Sequence, residues 1–296
     1  MPFKQLTDYR NHAEYTEYKG YSIAYWQQLN QNAQAETLFF IHGFPSAAWD
    51  WHGQWQYFAA DFSLVALDML GFGLSDKPMD HRYSVLEQAD IVEHLCGQLG
   101  IRQLSIVAHD YGNSVAQELL SRQKDGDLSF KINTLCWLNG GLFAESHRPL
   151  LTQKLLHSWL GPILVKFLSK KTLLKSFTKI FGPETPPKQE EIDAIWALIE
   201  HKQGARVMPK LLDYLDERQT HRDRWVQAMQ YYGESSDVRL SFINGRYDPI
   251  SGEHMLIQFQ QLLPNVKTRK LDVGHYPQLE AAKDVNKAIH KVMKEQ

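Results

Sequence analysis

The 296-residue chain has only two cysteines, Cys96 and Cys136, and both lie inside apolar stretches. So small a number excludes a disulfide-framed fold and predicts two buried thiols in a reducing compartment. Neither stands at metal-ligand spacing and the 13 histidines are scattered, so no metal and no cofactor is expected. An excess of charge of one sign is also missing: 32 Lys and Arg face 34 Asp and Glu, a formal net charge of −2. That balance offers no global basic field to hold nucleic acid or an anionic membrane surface. No apolar run approaches the roughly 20 residues of a membrane span. Met1 to Asn11 is polar and lacks an apolar signal core. Together these absences predict a soluble, cytoplasmic protein without a membrane span. An aromatic content of 12% supplies enough core-forming surface to exclude a disordered chain.

What is present falls into two rhythms. Around Tyr15, Tyr18, Tyr21, Ile23 and Tyr25 the residues alternate, which predicts a strand pair turned at Lys19-Gly20. Short apolar runs follow at 37–41, 63–67, 104–108, 135–138, 238–243 and 266–271, each closed by turn residues. Such runs suit buried parallel strands with polar groups gathered at their carboxyl ends. Helical periods lie between them, at 85–99, after Asp110 and at 255–263. Alternation of this kind predicts a mostly parallel α/β sheet with helices on both faces. From about Leu142 to Gly233 the strands stop, and a helical segment with a basic stretch (Lys166 to Lys179) takes over. The expected organisation is a core at 1–141, a helical lid at 142–233 and the rest of the core at 234–296. The basic stretch is read as a solvated helix face.

The chemistry centres on Ile106-Val107-Ala108-His109-Asp110-Tyr111-Gly112. A buried strand meets a helix through a tight turn, with small residues two positions either side of Asp110. That is the layout of a nucleophile elbow, with Asp where Ser is usual. Asp is also a favoured helix N-cap, which is the plainer reading of the same residue. An aspartate nucleophile suits displacement at an sp3 carbon, because attack there gives an ordinary alkyl ester. Water must then cleave that ester with the help of a base and an oxyanion hole. His275, after the final strand, is the candidate base. Asp248, after the preceding strand, is the candidate orienting acid. The backbone N–H groups of Tyr111 and Phe44 are the candidate oxyanion donors, and His42 is read as support for the Phe44 loop.

His42-Gly43-Phe44-Pro45, the run Asp68-Met69-Leu70-Gly71-Phe72-Gly73-Leu74-Ser75-Asp76-Lys77-Pro78, and His109-Asp110-Tyr111-Gly112 together resemble the epoxide hydrolase and haloalkane dehalogenase branch of the α/β-hydrolase fold. Within that branch the chain is most similar to the mesoderm-specific transcript proteins. This rests on residues 115–120, Asn139-Gly140-Gly141, His147-Arg148-Pro149-Leu150-Leu151 and residues 275–280. The resemblance implies an α/β-hydrolase fold with a mostly parallel eight-stranded sheet, flanking helices and an inserted helical lid. It also implies a hydrolase with an aspartyl ester intermediate, acting on a small apolar electrophile and water.

Two departures bear on the substrate. Epoxide hydrolases hold the epoxide oxygen with two lid tyrosines; Tyr214 matches the second, but no tyrosine lies between Tyr111 and Tyr214. His147 or His201 is a candidate substitute. Dehalogenases place Trp directly after the nucleophile, where Tyr111 stands, with a second donor that Trp159, Trp196 or Trp225 would have to supply. Epoxide opening is therefore the leading expectation. Haloalkane dehalogenation is the alternative, and a non-catalytic binding protein with the same lid pocket is a third.

Overall fold

The computed structural model describes residues 3–294. Met1, Pro2, Glu295 and Gln296, at the outer ends of the expected division, lie outside them. The sheet has eight strands, β1 (Glu14–Tyr18), β2 (Tyr21–Gln28), β3 (Thr37–Ile41), β4 (Ser63–Leu67), β5 (Gln103–Ala108), β6 (Lys131–Trp137), β7 (Arg239–Gly245) and β8 (Lys267–Leu271). Their order is β1-β2-β4-β3-β5-β6-β7-β8. β2 runs antiparallel to both β1 and β4, and every later pairing is parallel. The β1–β2 hairpin turns through Lys19 and Gly20, with φ of 49° and 83°. Two positive φ values in a two-residue turn match the natural twist of the flanking strands.

The apolar runs read as buried strands because both of their faces are covered. Phe39, Ile41, Val65, Leu67, Ile106 and Ala108 enter one core. Their alternating neighbours Leu38, Phe40, Leu64, Ala66 and Val107 enter the other. The first core packs under helices Val85–Gln98, Tyr111–Asp125 and Glu253–Leu262; the second packs under His52–Phe58 and Ala282–Lys294. The second core also takes Phe3 and Tyr9 from the otherwise polar N-terminal segment. Their rings stack on Trp55 and Trp26, with centroids 4.4 and 3.9 Å apart.

Between β6 and β7 lies a helical insertion without strands. Its longer helices are Leu151–His157, Lys170–Ile180, Gln189–Glu200 and Tyr214–Glu234. Two of the breaks marked by proline are helix starts, since Pro162 and Pro209 occupy first-turn positions where a missing N–H costs nothing.

The parallel strands deliver their carboxyl ends to one edge of the sheet, and the turn after β5 is closely packed there. At Gly112 an added Cβ would fall 2.6 Å from the backbone oxygens of both Ile41 and His42. Helix Tyr111–Asp125 therefore approaches β3 closely only because residue 112 has no side chain. Gly112→Ala is expected to lower unfolding stability by about 1–3 kcal/mol. Urea denaturation checks this, and an unchanged midpoint would show that the helix can back away without loss.

Candidate active site

Asp110 sits between β5 and helix Tyr111–Asp125 with φ 48° and ψ −106°. A non-glycine residue rarely adopts positive φ, and it is held there only when the surroundings over-determine it. Its N–H donates to Asn139 O (2.8 Å) and its carbonyl accepts from Arg218 Nη2 (3.0 Å). The carboxylate is 3% exposed. Oδ2 accepts from Phe44 N–H at 3.1 Å. Oδ1 lies 3.9 Å from His275 Nε2 and 3.8 Å from Arg218 Nη2.

His275 is fixed from three sides. Its Nδ1 meets Asp248 Oδ2 at 2.8 Å, its N–H donates to Ile180 O (2.7 Å), and its carbonyl meets His109 Nε2 (2.8 Å). Glu280 clamps the same loop, accepting from the N–H groups of Gly274 and Tyr276, and from Gly182 in the helical insertion. Asp248 takes further hydrogen bonds from Ser251 Oγ, Asn139 Nδ2 and Ile250 N–H. Burial opposes its charge, but His275 and these donors hold the carboxyl well below its ordinary range. Burial alone would lower the His275 imidazole, yet Asp248 and then Asp110 outweigh it and raise it from 6.5 to about 9.

The loop after β3 brings Phe44 to Asp110. His42 is fully buried, accepts from Met69 N–H at 3.0 Å and pairs with its neighbour Gly43 O at 2.9 Å. With Nε2 accepting, Nδ1 carries the proton, and the ring ties the β3 and β4 loops together. Tyr111 N–H, at the first helical position, has no intrahelical partner and stays available beside Asp110.

Arg218 had no place in the sequence reading. It is 2% exposed, on helix Tyr214–Glu234. Nε donates to Ser114 Oγ (2.8 Å), Nη1 lies 3.4 Å from His147 Nδ1, and the guanidinium stands 4.4 Å from the Tyr214 ring centroid. Gly141 makes the room, since a Cβ there would fall 2.2 Å from Arg218 Nη1. The available signal was the spacing of four from Tyr214, which puts both residues on one helix face. A helical arginine nevertheless reads as a solvated surface group until its surroundings are known.

Tyr214 is 1% exposed, and its hydroxyl has no hydrogen-bond partner among the described residues. Burial and the nearby Asp110 raise it, and Arg218 works in the opposite sense. His147 is brought beside Arg218, where burial and then the guanidinium push it down to about 3. Its Nε2 is likewise buried without a partner among the described residues. His201 instead opens a turn near Lys77 and Lys202. Of the tryptophans, Trp159 is 83% exposed, Trp196 packs against the core, and the Trp225 indole donates to Glu118 (2.9 Å).

A cavity of about 250 Å³ lies between the sheet edge and the helical insertion. Phe44 and His275 line it on one side, and Leu155, Phe167, Leu173 and Phe177 on the other. Asp110 is 2% exposed and stands directly behind two of the residues that line the cavity, Phe44 and His275. A larger groove of about 550 Å³, at the opposite edge near Asn133, Val238 and Asn265, holds none of these groups.

The sheet order, the strained acidic turn after β5 and the helical insertion define a hydrolase of the α/β fold. A model of the alpha/beta hydrolase fold matches residues 36–126. The chain belongs to the family of the mesoderm-specific transcript proteins. It is 39% identical to the mouse (Mus musculus) member over 286 residues, covering 93% of this chain and 84% of that protein. Among solved structures, the haloalkane dehalogenase DbeA-M1 loop variant from Bradyrhizobium elkanii superposes with a TM-score of 0.75 at 18% identity, covering 95% of this chain and 96% of that one. The epoxide hydrolase CorEH gives 0.74 at 18% identity, covering 95% and 98%. At that identity the two structures speak to the fold.

The raised His275 has a consequence for stability. Its contribution is fully present below pH 6.5 and is lost as pH rises through about 9. Thermal melts should therefore show a decline across that window that His275→Gln flattens. Parallel wild-type and variant curves would show that the imidazole gains nothing from its two carboxylates.

Proposed function

We propose that the protein opens epoxides through an ester on Asp110. The observation that carries the reading is the setting of one carboxylate. One of its oxygens is held by a backbone N–H, and the other faces an imidazole that is backed by a second carboxylate.

In the first step Asp110 Oδ1 attacks an epoxide carbon, and the C–O bond breaks toward the ring oxygen. Tyr214 O–H gives that oxygen its proton, leaving a phenolate beside the Arg218 guanidinium. His147 Nε2–H is a second buried donor near the same guanidinium, which supports its standing in for the missing tyrosine. Esterification removes the charge of Asp110, one of the groups that raise His275, so the imidazole is poised to lose its proton once the ester forms.

In the second step neutral His275 takes a proton from water, which attacks the ester carbonyl carbon. The N–H groups of Phe44 and Tyr111 hold the developing oxyanion. Collapse expels the alkoxide, which takes the proton from His275. The carboxyl proton left on Asp110 returns to the Tyr214 phenolate through solvent. As Asp110 ionises again, His275 takes back from solvent the proton it released to solvent after the ester formed; atoms and charge then balance, and the products are a diol and the starting enzyme.

Two observations weigh against halide as the leaving group. The Trp225 indole is committed to Glu118, and Trp159 is largely in solvent. The site also retains a nucleophile, a base and an orienting acid, more than passive binding needs. The buried free thiols Cys96 and Cys136 suit a reducing, cytoplasmic setting.

His275→Gln should trap the ester. Intact mass after exposure to a panel of aliphatic and aryl epoxides should show a stoichiometric adduct, absent from the His275→Gln/Asp110→Ala double variant. No adduct from any epoxide would sink the reading, and adduct formation with bromide release from bromoalkanes alone would replace it by dehalogenation. Tyr214→Phe should slow ester formation by about 10²-fold or more, the usual weight of a general acid. Quenched-flow mass measurement reads that rate directly, and an unchanged rate would remove Tyr214 from the mechanism.

A further inference from the structure

The helical insertion exposes an apolar stripe that a water-facing surface has no reason to keep. Leu151, Leu155, Trp159, Ile163 and Phe167 follow at steps of four residues, with 71, 41, 83, 52 and 75% of their surface in solvent. They are carried by the short helices Leu151–His157, Gly161–Leu164 and Val165–Phe167 and the turn between the first two, and so many large apolar side chains left in solvent within one short segment mark an interaction surface. Leu155 and Phe167 also line the cavity, so the stripe borders its mouth.

Charge accompanies the stripe. Residues 146–183 contain seven Lys and Arg and no Asp or Glu, in a chain whose formal net charge is −2. In helix Lys170–Ile180 the residues Leu173, Phe177 and Ile180 are buried. Lys171, Lys175 and Lys179, again at steps of four, are exposed. These three, with Lys154 and Lys166, form no salt bridge among the described residues, whereas Lys170 pairs with Asp193 at 2.9 Å. The whole-chain balance therefore hides a local basic field.

We propose that this face docks on the surface of an anionic phospholipid bilayer, with Trp159 and Phe167 entering the interface and the lysines meeting the headgroups. An apolar stripe beside lysines is the composition of segments that lie in the plane of a membrane interface. Trp is favoured at that depth because its ring is amphipathic. A nucleic acid would answer the lysines but gains nothing from Leu151, Leu155 and Ile163. No helix among the described residues is long and apolar enough to cross a membrane, so the contact is peripheral. Docking here would turn the cavity mouth toward the lipid, from which an apolar substrate would enter. That last consequence rests on the proposed function, but the docking does not.

The test uses the full chain and vesicles, without turnover. Vesicles of phosphatidylcholine with about a third phosphatidylserine should carry the protein in flotation, about tenfold more than phosphatidylcholine alone, and raised salt should release it. Binding should shift the tryptophan emission to the blue, and Trp159→Phe should abolish that shift. Trp159→Ser/Phe167→Ser should weaken binding about tenfold or more, as should Lys166→Gln/Lys171→Gln/Lys175→Gln. All five positions are exposed, and unchanged thermal melts verify the fold. No binding to anionic vesicles, or binding that neither set of substitutions alters, overturns the proposal. A concentration-dependent dimer without lipid, seen by sedimentation and lost in Trp159→Ser/Phe167→Ser, overturns it too, by assigning the stripe to a second copy of this chain.

Discussion

A carboxylate removed from water demands compensation, and the structure around Asp110 is arranged to supply it. The Asp110 side chain is 3% exposed and the backbone beneath it is held at positive φ. An uncompensated buried charge costs several kcal/mol. Here two buried acids, Asp110 and Asp248, are matched by the Arg218 guanidinium and by an imidazole that favours its charged form. Each partner comes from a different part of the chain: the β3 loop gives Phe44 N–H, the β8 loop gives His275 and the helical insertion gives Arg218. Fold and site are thus tied by one requirement, that every group around the carboxylate arrive together.

The same balance suggests how the proposed reaction would change state. While Asp110 is ionised, His275 is stabilised as a cation and cannot accept a proton. Once the charge moves from Asp110 to a leaving oxygen, the support for that cation weakens just as a base is required. Arg218 is placed to serve both ends of the transfer, since it touches the backbone of Asp110 and lies against the Tyr214 ring. A buried arginine is costly to keep, and in the proposed reaction its reward is a counter-charge for whichever oxygen is negative.

The helical insertion is bound to the core at the His275 loop itself. Ile180 O accepts from His275 N–H, and Glu280 bridges Gly182 to the His275 loop. Movement of helix Lys170–Ile180 would therefore be felt at the imidazole. That helix also carries the exposed lysine stripe, so in the proposed docking the surface contact and the site share one rigid element.

The strands were legible in the sequence because their chemistry is local. Apolar runs closed by turn residues marked β3 and β4 to the residue, and Gly112 beside Asp110 marked the elbow, since only a missing side chain allows that approach. Asp248 and His275 were legible by their position after the last two strands. Arg218 was not, because its burial is created by Gly141, Ser114 and His147, which are distant in the chain. His147 and His201 were equivalent as letters, and only the packing put one beside the guanidinium and the other near Lys77. The lysine run was read as a solvated helix face, and Lys171, Lys175 and Lys179 are exposed; what the letters did not show is that Trp159 and Phe167 stay uncovered as well, since that depends on what the insertion packs against. Sequence alone determined the strands and which polar residues follow them at the sheet edge, because periodicity and turn chemistry act over a few residues. Tertiary structure decided which charges face one another and which apolar groups stay in water, because burial and Coulomb energy depend on distances that neighbours in the chain do not set.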